Sequence, residues 1–202
     1  MSKSTRYTGP LPEVQKMVKG CKPEKENLIG MLHELEQIHE QIAVSERLVE
    51  SLPQEIDRLL KSGRMDNAII EELARKRVHL DLLPSRLEHL RQQQDTDRAN
   101  HLQTTIDTIH EAACKYYEIQ FQTAVKDQMK LGSDEDLAMR QARLRPEFNC
   151  MHPSFVAAQF SCCGLIERIR TILWCLEAFE AGIHPCCGDE SEKIKQKWIP
   201  EI

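Results

Sequence analysis

From Leu28 to Leu59 apolar residues return every third and fourth position with almost no interruption. One seam holds Leu28, Leu35, Ile42, Val49 and Ile56; the other holds Met31, Ile38, Ser45, Leu52 and Leu59. Nine of these ten positions are apolar and the residues between them are mostly Glu, Gln, Arg and His, which predicts a heptad helix that buries one narrow stripe against a partner helix. The helix should run from about Glu24 to Leu60. Pro53 removes a hydrogen bond within it, and because the seam keeps phase across the proline, a kink is expected rather than a break.

Lys61-Ser62-Gly63-Arg64 then reads as a turn, with Gly63 supplying the left-handed conformation that ends a helix and Asp66 or Asn67 capping the next. The second helix places Ile69, Leu73, Leu80, Leu83, Leu87 and Leu90 at three- and four-residue steps, with Lys76 as its one polar interruption. Two such stripes joined by a short loop predict an antiparallel helical hairpin of coiled-coil type. After the polar stretch Gln92–Asp95 a third helix follows, with Leu102, Ile106, Ile109, Ala113, Tyr116, Gln120 and Phe121 along one face, ending near Gly132. Ser133-Asp134-Glu135-Asp136 has capping-box spacing and opens a short helix to about Arg143. Pro146 and Pro153 bracket a loop. Ser154 is expected to cap one last, strongly apolar helix through Phe179, stopped by Gly182 and Pro185.

The fold class read from this pattern is all-α: a long antiparallel hairpin plus a compact C-terminal helical body. The expected division is a flexible basic arm over 1–24, the hairpin over 25–95, the body over 96–185 and a tail over 186–202. Aromatic residues sharpen it, because apart from Tyr7 every Tyr, Phe and Trp lies at or beyond Tyr116. Large aromatics fill globular cores, whereas Leu and Ile fill helical seams.

Charge narrows the choice of partners. The formal net charge of −5 is unsuited to a surface that grips nucleic acid everywhere. The cluster Lys3, Arg6, Lys16, Lys19, Lys22 and Lys25 leaves a local basic arm as the one nucleic-acid candidate, and a solvated tail is the reading favoured for it. The opening residues have no apolar leader segment, and no stretch approaches the ~20 apolar residues that span a bilayer. Eight cysteines without a leader point to free thiols in a reducing compartment, so a cytoplasmic protein is expected.

Six of the cysteines fall in the C-terminal half: Cys150, Cys162, Cys163, Cys175, Cys186 and Cys187. Zinc needs four converging ligands, and Cys150, His152, His184 and Cys186 are the set these loops offer; the spacing fits no standard knuckle, and most of these cysteines read as small buried hydrophobes. Cys162 or Cys163 with His152 is the only thiol–histidine pair worth weighing as a nucleophile, and core packing is the better account of it. Glu36-x-x-His39 and Asp107-x-x-His110 have the spacing of di-iron ligands, but Glu36 and His39 flank the seam and belong on a solvated face. His33-Glu34 lacks the second histidine of a zinc-protease helix, Gln37 standing in its place, and phosphate-loop and nucleophile-elbow patterns are absent from the chain. No cofactor and no enzymatic activity are expected.

Leu59-Leu60-Lys61-Ser62-Gly63, followed by Ile69-Ile70-Glu71-Glu72-Leu73-Ala74-Arg75-Lys76-Arg77, resembles the hairpin of the satellite-phage polarity-suppression and capsid-decoration protein family. The resemblance covers about residues 21–95. It implies a helical, dimeric protein that acts by binding another protein, a capsid surface or a host transcription-termination factor, and it transfers no individual functional residue. The reading is therefore a non-enzymatic, self-associating interaction protein. Its contact residues are expected at Phe160, Ile169, Ile172, Leu176 and Trp198. The hairpin seam runs through Leu28, Leu35, Ile42, Val49, Ile56, Leu73, Leu80 and Leu87. The alternatives are a zinc-stabilised regulatory module and a nucleic-acid-associated factor.

Overall fold

The structure, a computed structural model, describes residues 11–63, 66–94, 98–161 and 164–200; Lys3, Arg6, Cys162 and Cys163 lie outside the described residues. Every regular element among them is helical: α1 Pro12–Lys19, α2 Lys22–Lys61, α3 Asn67–Gln94, α4 Arg98–Lys130, α5 Glu135–Arg143, α6 Pro146–Cys150, α7 Pro153–Ala158, α8 Leu165–Glu180 and α9 Asp189–Trp198. They form two compact units. One takes the chain up to Leu32 and again from Ala99 onward, and the other is His33–Arg98. Helix α2 begins in the first unit and ends in the second.

In the second unit α2 and α3 run antiparallel. Lys76 Nζ lies 2.5 Å from Glu55, Arg91 donates to Glu46 at 2.8 Å, and Gln94 Nε2 lies 3.5 Å from His39 Nδ1, so residues advance along one helix as they retreat along the other. Ile42, Leu87 and Leu90 are buried together with Ile38 against them. Leu35, Leu52 and Leu73 are buried, Ile56 and Leu80 half-buried, and the polar seam residue Ser45 is buried as well; Leu28 is also buried but belongs to the stretch of α2 in the first unit. Val49 departs from the expected seam and is 38% exposed. Lys76, the polar interruption of the α3 stripe, is held between Glu55 and Glu72. The helix continues through Pro53, and a second internal proline, Pro84, is accommodated in α3. The turn closes with Gly63 at φ 66, a conformation that costs a side-chain-bearing residue energy, and Asp66 Oδ1 accepts from Ile69 N at 2.9 Å to cap α3.

The first unit corrects several expectations. Part of the expected flexible arm is helix α1: Pro12 occupies its first turn, where its missing N–H costs nothing, and Val14 and Val18, four apart, are fully buried as α1 packs on α8. Gln15 donates to the Glu180 carbonyl at 3.1 Å and Lys25 pairs with the Glu180 carboxylate at 2.5 Å, so the basic cluster is partly engaged within the chain. The capping residue of α5 is Asp134, which accepts from Leu137 N at 2.8 Å. The loop expected between Pro146 and Pro153 contains α6, and each proline opens a short helix.

The single long C-terminal helix is two helices. Gln159, Phe160 and Ser161 each donate to the carbonyl three residues back, Ser161 Oγ caps the Ala158 carbonyl, and Gly164 precedes α8. That tightening ends α7. Its cap is His152, whose ring accepts from Ser154 N, rather than Ser154 itself. Helix α8 ends at Gly182 with φ 77, where Ile183 N bonds the Ala178 carbonyl and Gly182 N the Phe179 carbonyl, a Schellman closure. The expected tail then forms α9, which folds back on α8: Trp198 Nε1 and Lys197 Nζ both donate to Glu177 at 2.8 Å.

Candidate functional site

Helix α4 organises the first unit through two consecutive tyrosines. Successive residues on a helix diverge by about 100°, so Tyr116 and Tyr117 serve different clusters. Tyr117 stacks on Phe121, with Phe148 and the His152 ring edge-on at 5.8 and 5.6 Å. Ala124, Val125, Ala138 and Ala142 close this cluster from α4 and α5. Tyr116, in turn, meets Phe179 at 6.1 Å and His184 at 5.3 Å between ring centroids, and Phe179 and His184 meet edge to face.

His184 is the most constrained polar residue here, 1% exposed. Its Nδ1 accepts from the Cys186 backbone N–H at 3.2 Å, which leaves the ring proton on Nε2, and that atom is buried without a hydrogen-bond partner. Burial pushes its pKa down to about 4, so the ring is neutral at pH 7. Cys187 Sγ lies 3.7 Å from the same Nδ1, and the Cys187 N–H donates to the His184 carbonyl at 3.1 Å. Residues 184–187 thus close on the Nδ1 edge of the imidazole, and Ser191 Oγ donates to the Pro185 carbonyl, tying the loop to the first turn of α9.

The same loop carries two thiols, Cys186 and Cys187. Burial raises Cys186 to about 11 and raises Cys187 further. Burial likewise raises Tyr116 to about 12, with Cys187 and Cys150 adding to the shift. Cys186 and Cys187 line an open cavity of about 250 Å³ together with Trp174, Gly188, Glu192 and Lys195. Lys195 Nζ sits 5.7 Å from the centroid of the Trp174 ring.

The tetrahedral set Cys150, His152, His184 and Cys186 is not brought together. His152 belongs to the Tyr117 face, with Nδ1 2.7 Å from Ser154 Oγ, whereas His184 belongs to the Tyr116 face with its acceptor nitrogen occupied by backbone. Among the described residues no group of three or more His, Cys, Asp or Glu side chains is arranged to hold a metal ion. The pairing of Cys162 or Cys163 with His152 lies outside the described residues. His39 and His110 are exposed and engaged with Gln94 and Cys114.

The residues expected to reach a partner are used inside the chain. Ile169, Ile172 and Leu176 have no exposed surface and Phe160 very little, while Trp198 is half-buried and bonded to Glu177. Helices α1 and α9 pack on α8, and α4 reaches it through Tyr116, so its apolar circumference needs no second chain. The periodicity of α8 correctly marks a surrounded helix, but it carries no information on whether the surrounding helices belong to the same molecule. Apolar side chains face solvent in both units: Leu131, Leu144 and Phe155 stand singly in this one, and in the other Ile70, Ala74, Val78 and Leu82 form an exposed row on α3.

No family model, curated protein or solved structure matches this chain. Among the described residues no helix is long and apolar enough to cross a membrane.

Proposed function

We propose that this chain is a non-enzymatic helical interaction protein that self-associates through α3. The observation that carries the reading is the row Ile70, Ala74, Val78 and Leu82: Ile70 is 50% exposed, Val78 59% and Leu82 61%. Residues four apart on a helix form a continuous ridge, the element that packs into the groove of another helix. A helix paired with one neighbour buries one stripe. The inner stripe of α3 is Leu73, Leu83, Leu87 and Leu90, and a second apolar stripe supports a second helical neighbour. A copy of the same surface is the simplest such neighbour, since two-fold dimers are the commonest assemblies. Docking on a further protein, a capsid surface or a host factor as the hairpin resemblance implies, would extend this role.

Light scattering across a concentration series tests it. The expected mass is a multiple of 23.4 kDa, falling toward one chain when Val78 and Leu82 are both replaced by Lys. A constant single-chain mass at all concentrations overturns self-association.

A further inference from the structure

The exposed row on α3 carries a charge pattern as well as apolar side chains. At about 100° per residue, Ile70, Ala74, Val78 and Leu82 turn away from the buried stripe Leu73, Leu83, Leu87 and Leu90. Arg86 continues the row by one more turn. Arg77 and Asp81 belong to the neighbouring row on one side, Glu71 stands beside Ile70 on the other, and all four charged side chains are exposed. Among the described residues Arg77, Asp81 and Arg86 enter no ion pair within the chain, whereas Glu71 lies 3.9 Å from Arg75. A helix that covers this ridge must match those charges or leave them desolvated and unpaired, which is costly.

We infer that the second copy packs on α3 in the antiparallel sense, with the two-fold axis midway between Arg77 and Asp81, so that each arginine meets the other copy's aspartate. The inference rests on the self-association through α3 proposed above and specifies its geometry. Rows of residues four apart interlock when the side chains of one fall between those of the other. With the axis at this level the two rows alternate along the seam. Leu82 of one copy falls between Ala74 and Val78 of the other, and the two Val78 side chains meet at the centre. Arg86 falls between Ile70 and Ala74, close to Glu71. The axis repeats each contact, so two Arg77–Asp81 pairs and two Glu71–Arg86 pairs result.

Interlocking alone allows other levels of the axis, about two residues apart, and charge chooses among them. One step toward the start of α3 sets Arg77 level with Arg77. One step toward its end sets Asp81 level with Asp81. A parallel copy brings Arg77 beside Arg75. Like charges in these places oppose pairing, so each alternative is disfavoured where the antiparallel arrangement is stabilised. The contact runs from Ile70 to Arg86, ~24 Å of helix at ~1.5 Å per residue.

The test uses the full-length protein at a concentration where light scattering gives the assembled mass. Val78→Cys is treated with a short bismaleimide and the digest is mapped by mass spectrometry. A link between the two introduced thiols is expected, because they meet at the axis. Ile70→Cys should give none, since its two copies would lie ~27 Å apart along the helices. Charge then tests the level of the axis. Arg77→Asp and Asp81→Arg should each weaken self-association at least ~10-fold, and an equal mixture of the two variants should regain it, because the mixed dimer again sets opposite charges level at both sites. Association unchanged or strengthened by either single variant, or no recovery in the mixture, overturns this register. A link at position 70 with none at position 78 overturns the antiparallel sense while leaving self-association standing. A single-chain mass for the wild type at every concentration overturns both. The thiol experiment keeps the native charges, so poor folding of a charge variant does not obscure it.

Discussion

The two units solve the same packing problem with different materials. Between His33 and Arg98 there is no aromatic residue, and α2 and α3 meet through Leu and Ile with ion pairs at Lys76–Glu55 and Arg91–Glu46 beside the seam. The other unit surrounds α8 with helices and fills the gaps with Tyr116, Tyr117, Phe148, Phe179 and the ring of His184. A two-helix interface leaves most of each helix wet, so its apolar surplus on α3 faces outward. A surrounded helix has no outward face, so its surplus of apolar residues is core. The same apolar density therefore lies exposed along α3 in one unit and forms the interior around α8 in the other.

Substitutions can test that contrast, beginning with the largest effect. Phe179→Ala removes a fully enclosed ring that touches Tyr116 and His184, and should destabilise the aromatic unit by about 3–5 kcal/mol. Chemical denaturation followed by tryptophan fluorescence reads this unit alone, because Trp174 and Trp198 both belong to it. A loss below 1 kcal/mol would mean that the cluster is not the packing centre.

Acid should weaken the same unit next. The His184 pKa is about 4 in the fold against an ordinary 6.5, so between these values the unfolded chain binds a proton that the folded chain refuses. Stability therefore falls as pH drops through about 6.5, and the loss, of about 3 kcal/mol at most, is complete below about 4. Tyr116 and Cys187, which meet the ring, stay neutral over that window. Glu177 is raised by burial but lowered more by donation from Lys197 and Trp198, and adds its own loss as pH falls below about 4.5. His184→Asn, which keeps an acceptor for the Cys186 N–H, should flatten the profile between pH 4 and 6.5. An unchanged profile would place the titrating group elsewhere.

In the α2–α3 unit Leu87→Ala should cost about 2 kcal/mol, less than Phe179→Ala, because Leu87 lies at the rim of a narrow stripe where solvent and neighbours can relax into the gap. Far-UV circular dichroism during denaturation measures it, and a cost equal to that of Phe179→Ala would erase the distinction between the units. The smallest effect is expected at Val78→Lys, within about 0.5 kcal/mol of wild type, because the side chain is already in water. Substantial destabilisation there would show that Val78 is packed within the chain rather than free to meet a second copy.

Local rules made the helices of the α2–α3 unit legible. Gly63 and Asp66 end one helix and start the next through interactions within a few residues, and Lys76 stands out because it interrupts an otherwise apolar stripe. The same rules failed where a short helix depends on its neighbour. Helix α1 shows only Val14, Met17 and Val18 among polar residues and one proline, and it reads as a helix once α8 is there to cover the two valines. Charged α9 is similar: its tryptophan is anchored by Glu177 on another helix. The break between α7 and α8 lies in a run whose apolar content suits either one helix or two.

What the amino-acid sequence determined by itself is thus the all-helical class, the span of the long helices and the segregation of aromatics, since period, capping residues and glycine turns act within a few residues of one another. Tertiary structure alone decided that Ile169, Ile172 and Leu176 are interior and that His184 and His152 serve different faces of α4. Those outcomes depend on which surfaces far apart in the chain come together. Hydrophobic burial rewards any sufficiently apolar cover, so the pattern states that α8 must be covered without stating by what.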